Sequence, residues 1–480
     1  MADTPHLGPR IRRWRKQQGL SQARMASDLG ISASYLNLIE HSQRALTVPV
    51  LLKLAEVYGL DLASLSDSGT ARLVAEVREA LADPILEDVD VTPTDLDDLV
   101  ARQPDFARAL TKLYTEYRAQ QERSSVLAER VTDGQDAVVT EPLRLPSDEV
   151  SDFVESRGNF FETLEVAADE LWTRANLDRS RLFSELAKLI EREHGVRVEL
   201  ARPDKLPGAV RHHDRQRRIL YVSEGLADHS RRFQLAHVLA FLEHREELER
   251  LADHATLKND ESRALARVAL ANYFAGAVLM PYDAFLAEAR RIRWDIELLE
   301  HRFGAGFEQV CHRMTTLRRP GDEGIPLHFI RIDIAGNISK RFSGSGIGFA
   351  RYGGACPRWN VHGAFLTPGM IRRQVSQFPD GKTYFCIART VRKAGGGFRV
   401  PQSRLAIGLG CETRYAKELV YSEGIDLEHE EAIVPVGVAC RLCERLDCRQ
   451  RAFPPVHHRI KIDEDRRGLS FYSSADSSGS

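Results

Sequence analysis

Three cysteines near the carboxyl end are spaced closely enough to bind one metal centre. They are Cys440, Cys443 and Cys448, in the phrase PVGVACRLCERLDCRQRAFPP, and several arginines stand beside them. Thiolates at this spacing can bind the same metal centre. Neighbouring positive charge lowers the pKa of a thiol and offsets the negative charge of thiolate ligands. The spacing therefore predicts a metal-binding cysteine cluster, with three buried, unliganded cysteines as the alternative.

Such a centre needs a fourth ligand, because a [4Fe–4S] cluster takes four cysteines and structural zinc takes four Cys or His ligands. Cys411, in IGLGCETRYA, is our first prediction, since it is expected to open a helix after a strand. Cys356, in GGACPRWNVH, is the second, and His457 or His458 would suit zinc better. Four cysteines suit both metals, but the Cys-x2-Cys-x4-Cys spacing without a second pair is looser than most zinc knuckles and favours iron.

The first 65 residues form a basic head on a nearly neutral chain. They hold eight Lys or Arg against five Asp or Glu, although the net charge of the whole chain is −2. Two short amphipathic segments, Gln22–Leu29 and a second one after Ser32, are joined by Gly30. A helix, a turn containing glycine and a second helix form the helix-turn-helix pattern.

The stretch SQARMASDLGISASYLNLIEHSQRALTVPVLLKLAEVYGL resembles the phage-repressor-like class of helix-turn-helix domains, over residues 8–65. In that class the second helix lies in the major groove, with its first-turn residues on base edges. The resemblance implies that Ser32, Ser34, Tyr35 and Asn37 face DNA and that Gln22 contacts a phosphate. The alternative is a four-helix module that binds another protein.

The middle of the chain is rich in amphipathic helices, one of them expected over Arg231–Leu251. Its phrases FQLAHVLAFLEH and ALANYFAGAVLMP resemble the HExxH zinc peptidases found beside repressor domains. In those enzymes two histidines at i and i+4 bind zinc and the glutamate is the general base. Here Val238 replaces the glutamate and Phe241 the second histidine, leaving His237 alone. We therefore expect a cleft that binds a ligand without zinc, or else a purely structural core.

After Ile325 the sequence changes to strands and turns. HFIRIDIAGNISKRF alternates apolar and polar residues around Ala335-Gly336-Asn337, which predicts a hairpin, and a helix is expected near Arg414–Tyr421. The predicted fold class is multidomain: an all-α helix-turn-helix head, an α+β, mostly helical peptidase-like middle domain, and a β-rich C-terminal domain with a Cys cluster. The predicted boundaries are 8–65 for the head, 66–149 for a helical acidic connector (a hinge or a dimerisation helix pair), 150–320 and 325–465.

The composition excludes several classes of protein. With 43% hydrophobic and 28% charged residues, the chain is typical of folded soluble proteins. Its longest apolar stretch, Val268–Met280, is much shorter than the roughly 20 residues that cross a bilayer. Seven cysteines are too few for a disulfide scaffold, and the amino terminus has no apolar run after its charges. We therefore expect a cytoplasmic protein without a membrane partner.

Together, the head, the altered peptidase motif and the tail phrases GGACPRWNVH, IGLGCETRYAKELVYSEGIDL and CRLCERLDCRQRAFPP resemble a known family over residues 8–460. The family is the short-chain acyl-CoA-responsive transcriptional regulators of bacterial propionate and acetate assimilation. The resemblance implies a homodimer or tetramer that binds operator DNA and short-chain acyl-CoA, and it associates an iron–sulfur cluster with the tail cysteines. It implies no enzymatic activity. The alternative is a regulatory zinc metallopeptidase that cleaves a partner repressor.

An acyl-CoA site needs Lys or Arg for the phosphates of CoA and an aromatic ring for its adenine. The resemblance places ESRGNFF and LANYFAG in or near the cleft, which suggests Arg157, Phe160 and Tyr273. Lys340 and Arg341, on the first hairpin of the final domain, would reach the phosphates from the other side. The alternative is that all five are ordinary surface or core residues.

Overall fold

The structure is a computed structural model of the 480-residue chain. It describes residues 11–12, 14–15, 19–40, 44, 48–58, 68–86, 89, 91–132, 146–206, 208–349, 355–393, 403–441, 443–445 and 448–454. The chain divides into two compact units, residues 1–136 and residues 137–480, and each is described by itself.

The first unit begins with the helices of the head: α1 (Gln22–Leu29), α2 (Ala33–Glu40) and α3 (Val48–Tyr58). Ser21 caps α1 by accepting a hydrogen bond from the backbone N–H of Arg24 at 3.2 Å. Gly30 ends α1 with φ 66°, a left-handed conformation that favours glycine. Leu36 and Leu54 are buried between the helices. The predicted helix-turn-helix is confirmed.

Three further helices of this unit share a second small core: α4 (Ser68–Leu81), α5 (Pro93–Arg102) and α6 (Pro104–Thr132). Val77, Leu96 and Ala107 are buried where the helices meet. Thr92 and Asp95 exchange hydrogen bonds at the start of α5, which satisfies backbone N–H groups that would otherwise lack partners. The helical pattern expected of the connector is present.

The second unit opens with helices that carry most of its core. They are α7 (Pro146–Ser156), α8 (Glu162–Ala175), α9 (Leu182–His194), α10 (Asp228–Glu243), α11 (Arg245–Ala252), α12 (Asp260–Leu279), α13 (Tyr282–Arg291), α14 (Ile296–Phe303) and α15 (Phe307–Thr315). The single helix expected over Arg231–Leu251 is wrong, because the backbone leaves the helical conformation at His244. Within the described residues, no helix alone meets the length and hydropathy needed to cross a bilayer, whereas the bent pair α12 and α13, at 64°, meets them jointly.

Two sheets complete the second unit. Their strands are β1 (Arg197–Ala201), β2 (Arg211–Asp214), β3 (Ile219–Ser223), β4 (His328–Ile332), β5 (Ile338–Ser343), β6 (Arg372–Gln377), β7 (Thr383–Lys393), β8 (Ser403–Glu412) and β9 (Ile433–Pro435), and a short helix, α16 (Asn360–Gly363), precedes β6. The strand orders are β1-β3-β2 and β5-β4-β8-β7-β6-β9. The hairpin predicted at Ala335-Gly336-Asn337 is confirmed by the antiparallel pair β4 and β5. The helix expected near Arg414–Tyr421 is replaced by 3-10 turns.

The six-stranded sheet is buried on both faces. On one face Phe329 and Leu409 join the helices in a single apolar cluster that begins at Val150. On the other face Ile330 and Val436 belong to a smaller, separate cluster. Because successive side chains of a strand point to opposite faces, neighbours such as Phe329 and Ile330 pack in different clusters. The helices and this sheet therefore share one core.

Candidate functional sites

Helix α2 presents a polar surface at its start. Ser32, Ser34 and Asn37 are exposed and Tyr35 is half-buried. The Ser32 hydroxyl caps the helix by accepting a hydrogen bond from the backbone N–H of Tyr35 at 3.1 Å. The four residues predicted to face bases thus lie on the first turns of the helix that repressor-like domains insert into the major groove.

Gln22 connects α1 to α2. Its Nε2 donates to Oδ1 of Asn37 at 3.1 Å and to Oε2 of Glu40 at 2.9 Å. The Glu40 side chain is fully buried, and it also accepts a hydrogen bond from Nε of Arg15 at 2.6 Å. These donors compensate a carboxylate that would be costly to bury alone. The sequence singled out Gln22 and Asn37 but missed the Arg15–Glu40 pair, because the two residues are 25 positions apart.

A cavity of about 510 Å³ lies between helices α10, α12 and α15 and strands β4, β5 and β7. Phe233, Met280 and Phe307 give part of its lining an apolar character, and Gly276 of α12 leaves room beside them. Cavities of several hundred Å³ with mixed apolar and polar lining are typical of small-molecule sites. The cleft expected in the peptidase-like part of the chain is therefore present, and the sheet completes it.

Tyr273 and Lys340, two of the residues predicted to contact acyl-CoA, line this cavity. The Tyr273 hydroxyl donates to Oε1 of Glu165 at 2.6 Å. Glu165 in turn pairs with Arg313, whose two terminal nitrogens lie 2.5 and 2.8 Å from its oxygens. Burial raises the pKa of Tyr273 well above its usual value. Tyr273 is therefore a protonated donor, fixed in a buried network.

The other three residues of that prediction do not line the cavity. Arg157 is exposed on the turn after α7, and Phe160 packs against the ring of Tyr282, with their centres 6.0 Å apart. Arg341 faces away from its neighbour on the strand and lies 3.4 Å from Asp148. The alternation of side chains along β5 explains why Lys340 lines the cavity and Arg341 does not, because adjacent residues of a strand point to opposite faces.

The charged part of the cavity lining is mainly cationic. Arg331 and Lys340 lie on β4 and β5, and Arg392 and Lys393 are exposed at the end of β7. Among the described lining residues the one carboxylate is Glu308, which pairs with Arg331 at 2.6 Å. Burial lowers the pKa of Lys340 to about 8, and the charges of Arg331 and Lys393 add to this effect. The lining therefore favours an anionic ligand.

The remnant of the peptidase motif is a packed core around His237. The ring of His237 is buried, donates to the backbone carbonyl of Val268, and lies 5.3 Å from the ring of Phe241. Burial, together with the positive charge of Arg211, lowers the pKa of His237 to about 3. Val238 offers no general base. One histidine beside a fixed cation does not fit catalytic zinc, which takes three protein ligands and a water.

Another group of possible ligands lies at the end of α10. The ligand atoms of Glu193, His194 and Glu243 are all within 4.8 Å of one another, the one such set of three in the described residues. However, Arg174 pairs with Glu243 at 2.8 Å and with Glu193 at 3.4 Å. Because Arg174 already compensates these carboxylates, the group is an ion-pair network.

The cysteine centre, which we define as Cys356, Cys440, Cys443 and Cys448, surrounds the loop after β9. The first three are buried and Cys448 is half-buried. The backbone N–H of Cys356 donates to the carbonyl of Val438 at 3.2 Å, which places it beside the Cys440-x2-Cys443 turn. Burial raises the pKa of Cys356, and its closeness to Cys440 and Cys443 adds to the rise. The structure thus brings Cys356, the second prediction for the fourth ligand, beside the tail cysteines.

The structure does not bring Cys411, the first prediction for the fourth ligand, beside the tail cysteines. Cys411 lies within β8 opposite Phe385, rather than at the start of a helix, and its neighbouring thiol is Cys386. It belongs to the apolar cluster on one face of the sheet, whereas Cys356 belongs to the cluster on the other. Strands β7 and β6 also separate β8 from β9, a distance of about 14 Å at ~4.8 Å per strand. His457 and His458 lie outside the described residues.

Hydrogen-bond donors surround the cysteine centre. Three of its sulfurs accept backbone N–H groups, those of Gly437 and Arg358 on Cys356, Arg445 on Cys443, and Ala452 on Cys440. The buried side chain of Arg451 donates to the carbonyls of Cys440 and Cys443 at 2.6 and 2.7 Å. Such donors stabilise thiolate ligands and hold their loop in place. The sequence indicated nearby arginines but not that Arg451 acts on the backbone.

Three family patterns match the chain in succession. A helix-turn-helix pattern matches residues 11–65, the IrrE N-terminal-like domain of peptidase family M78 matches residues 191–315, and the C-terminal domain of the short-chain fatty acyl coenzyme A regulators matches residues 316–472. Their order agrees with the head, the cavity-forming helices and the sheet.

Full-length relatives carry the same arrangement. The chain is 41% identical to the propionyl-CoA carboxylase regulator of Cereibacter sphaeroides, over 99% of this chain and 100% of the relative. It is 39% identical to the HTH-type transcriptional regulator PrpR of Mycobacterium tuberculosis, over 98% and 96% of the two chains. A solved structure of a Mycobacterium tuberculosis transcriptional regulator shares 42% identity and a TM-score of 0.66, covering 69% of this chain and all of that one. The chain therefore belongs to the family of helix-turn-helix transcriptional regulators that carry the short-chain fatty acyl coenzyme A regulator domain.

Proposed function

We propose that this protein regulates the transcription of genes for short-chain fatty acyl-CoA (propionate and acetate) assimilation, and that a short-chain acyl-CoA in the cavity sets its affinity for DNA. The observation that carries the proposal is the lining of the cavity, which combines an apolar side with a cationic one. A CoA thioester has the complementary distribution, with anionic phosphates at one end and an apolar acyl group at the other. The relative named as a propionyl-CoA carboxylase regulator and the matched domain support the same ligand class.

The exposure of the lining residues orients the ligand. Arg392 and Lys393 are exposed, so they suit the phosphates of CoA, which remain partly hydrated. Lys340 is half-buried beside β4, so it suits the thioester region better than the phosphates. Phe233 and Gly276 would then adjoin the acyl chain. This orientation revises the expectation that Lys340 reaches the phosphates.

A ligand can change DNA affinity only through different affinities for two arrangements of the protein. Repressor-like heads read two half-sites, and we therefore propose a homodimer or tetramer that acts in the cytoplasm on double-stranded DNA. Acyl-CoA binding would bias the relative placement of the two heads. The coupling expected for such regulators is about 1–3 kcal/mol, or roughly 5- to 150-fold in affinity.

The test is a mobility shift on the DNA upstream of the protein's own gene, with acetyl-, propionyl- and butyryl-CoA titrated in. We expect one of these thioesters to change the DNA affinity at least about fivefold. Calorimetric titration of Lys393→Ala should show weaker binding that depends less on salt, because one phosphate contact is lost. Arg157→Ala is the matched control, since Arg157 is exposed and outside the cavity lining. Equal affinity of both variants and the original protein for every thioester would reject the cavity as the site.

We further propose that the cysteine centre holds a [4Fe–4S] cluster, with structural zinc as the alternative. Cys356, before α16, and three cysteines of the loop after β9, with backbone donors on three of the sulfurs, fit a site of thiolate ligands. The Cys-x2-Cys-x4-Cys spacing, without a second pair, is looser than that of most structural zinc sites and supports the iron–sulfur cluster. When bound, the cluster would supply one-electron redox chemistry.

Anaerobic purification tests this assignment. The protein should be brown, with broad absorption near ~400 nm from thiolate-bound iron and sulfide. Cys356→Ser and Cys443→Ser should lose the colour, whereas Cys411→Ser should keep it. Loss of colour in Cys411→Ser but not in Cys356→Ser would move the fourth ligand back to β8. Colourless protein with one zinc per chain, after attempted reconstitution with iron and sulfide, would favour zinc.

We also propose that the protein has no peptidase activity. The support is the remnant motif, in which His237 stands with Val238, Phe241 and the cation of Arg211 instead of a set of zinc ligands. Incubation of the purified protein with casein and with candidate repressors, together with zinc analysis, checks this point. Zinc in the His237 region accompanied by cleavage would instead establish a regulatory metallopeptidase.

A further inference from the structure

Lys340 differs from the other cations of the cavity in its surroundings. It lies on the edge strand β5, half-buried, with Nζ 6.0 Å from the centre of the fully buried ring of Phe329. The nearby carboxylate of Glu308 is already paired with Arg331 at 2.6 Å. Within the described part of the chain, Lys340 forms no ion pair of its own. A primary amine is thus held in the ligand cavity without a counter-ion fixed to it.

Four charged or titratable groups face Lys340. They are Glu308 and His312 of α15, Arg331 of β4 and Lys393 of β7. Burial and the two cations lower the pKa of Lys340 to about 8, against the opposing charge of Glu308. At pH 7 about one in ten such amines is neutral, compared with fewer than about one in a thousand ordinary lysines. His312 also stays uncharged, because burial holds its pKa well below the usual range.

We propose that Lys340 is acylated by the short-chain acyl-CoA that occupies the cavity. This inference rests on the proposed function, because the ligand supplies the thioester. The neutral Nζ attacks the thioester carbonyl carbon, a C–N bond forms, and the C–S bond breaks. CoA leaves as its thiol with the proton that the amine gives up, and the lysine becomes an amide. The step needs no further reactant.

Acylation would change the cavity in two ways. It removes one positive charge from a lining whose cations attract CoA, and it leaves the acyl group bound after CoA has dissociated. Because an amide is far more stable than a thioester, the modified state outlasts the free ligand. The protein would then report past exposure to acyl-CoA as well as its present concentration.

The experiment incubates the full-length protein with propionyl-CoA at several pH values and maps the modified lysines by mass spectrometry of the digested chain. We expect one propionyl group on Lys340, added at least about tenfold faster than on the exposed Lys188 and Lys205, since far more of its amine is neutral. The Lys340 rate should level off near pH 8. Unfolding the protein first should abolish the preference. Glu308→Gln should react faster, because it removes the charge that favours the protonated amine.

Binding is measured in parallel with propyl-CoA, a thioether that cannot transfer an acyl group. If the thioether binds and Lys340 reacts no faster than Lys188 and Lys205, the acylation proposal is overturned and the proposed ligand site stands. If neither compound binds, the proposed function fails and the acylation proposal fails with it. The proposal is supported if the folded original protein gains the propionyl group and the Lys340→Arg variant, in which arginine keeps the positive charge, does not.

Discussion

Nε2 of Gln22 and Oδ1 of Asn37 are joined by a hydrogen bond of 3.1 Å, so the first helix of the DNA-reading head sets the side-chain orientation of the second. Gln22 is itself anchored on the buried Glu40. Two residues that the sequence assigned to separate roles, one for phosphate and one for bases, are therefore parts of one structure. We therefore expect the DNA affinity of the head to depend on this hydrogen bond as well as on the residues that contact DNA directly.

Asn37→Ala should lower the affinity for specific operator DNA by about 1–3 kcal/mol and leave most non-specific binding intact, because base contacts specify and phosphate contacts position. Fluorescence anisotropy on operator and scrambled duplexes at fixed salt measures both affinities. Gln22→Ala should cause a smaller loss of the same kind. An equal loss on both duplexes in Asn37→Ala would assign Asn37 to phosphate binding or to folding.

Glu165→Ala should destabilise the second unit by about 3–5 kcal/mol, because it leaves the guanidinium of Arg313 buried without its carboxylate. The exposed fractions of the two side chains are only 3% and 1%, so solvent cannot replace the lost partner. Denaturant unfolding gives the free energy. The double variant Glu165→Met with Arg313→Met should recover much of the loss, and no recovery would contradict this account.

Gly276→Ala should stabilise the protein by up to about 1 kcal/mol, because glycine inside a helix is less favourable than alanine and an added Cβ would meet no atom within 4 Å. The same methyl group would enter the cavity, so the affinity for longer acyl-CoA should fall. Gly408→Ala is the matched contrast, since its Cβ would lie 2.8 Å from Cγ2 of Ile330 and should destabilise. Thermal unfolding and calorimetric titration separate the two effects. Unchanged ligand affinity in both Gly276→Ala and Gly276→Leu would remove Gly276 from the site.

His328 should make stability depend on pH in the acid range. Its ring is buried, with Nδ1 2.8 Å from the Ser345 hydroxyl, and burial lowers its pKa to about 3. The unfolded chain therefore binds a proton below about pH 6.5 that the folded chain binds only near pH 3, so stability is lost as the pH falls through this window. The slope is at most about 1.4 kcal/mol per pH unit. His328→Phe should unfold with a flatter pH profile, whereas His301→Asn, at an exposed position, should not.

The sequence was informative where the structure is local. The turn at Gly30 and the polar start of α2 depend on residues a few positions apart, and both were predicted. The hairpin before Lys340 was predicted for the same reason. The replacement of the second zinc-binding histidine by Phe241 could also be predicted, because positions 237 and 241 are one helical turn apart.

The sequence was less informative where the neighbours of a residue depend on the order of strands in the sheet or on the face of the strand that the residue occupies. Cys411 and Cys356 were both plausible partners of the tail cysteines, and only the strand order and the two apolar clusters separate them. Likewise, Lys340 and Arg341 were treated alike, although adjacent residues of β5 face opposite sides. Arg331, 58 positions from Tyr273, carried no local signal of its place in the cavity.

The boundary between the two matched family patterns, after Thr315, is not a boundary of folding. Thr315 accepts a hydrogen bond from Asn159 at 2.9 Å, and the apolar cluster continues past it from the helices to Leu409 of the sheet. A chain cut at this position would expose one face of the sheet and the helices that cover it, and both halves would tend to aggregate. The helices matched by the peptidase-like pattern and the sheet that follows them therefore depend on each other to bury their apolar faces, and we expect neither to be stable when expressed alone.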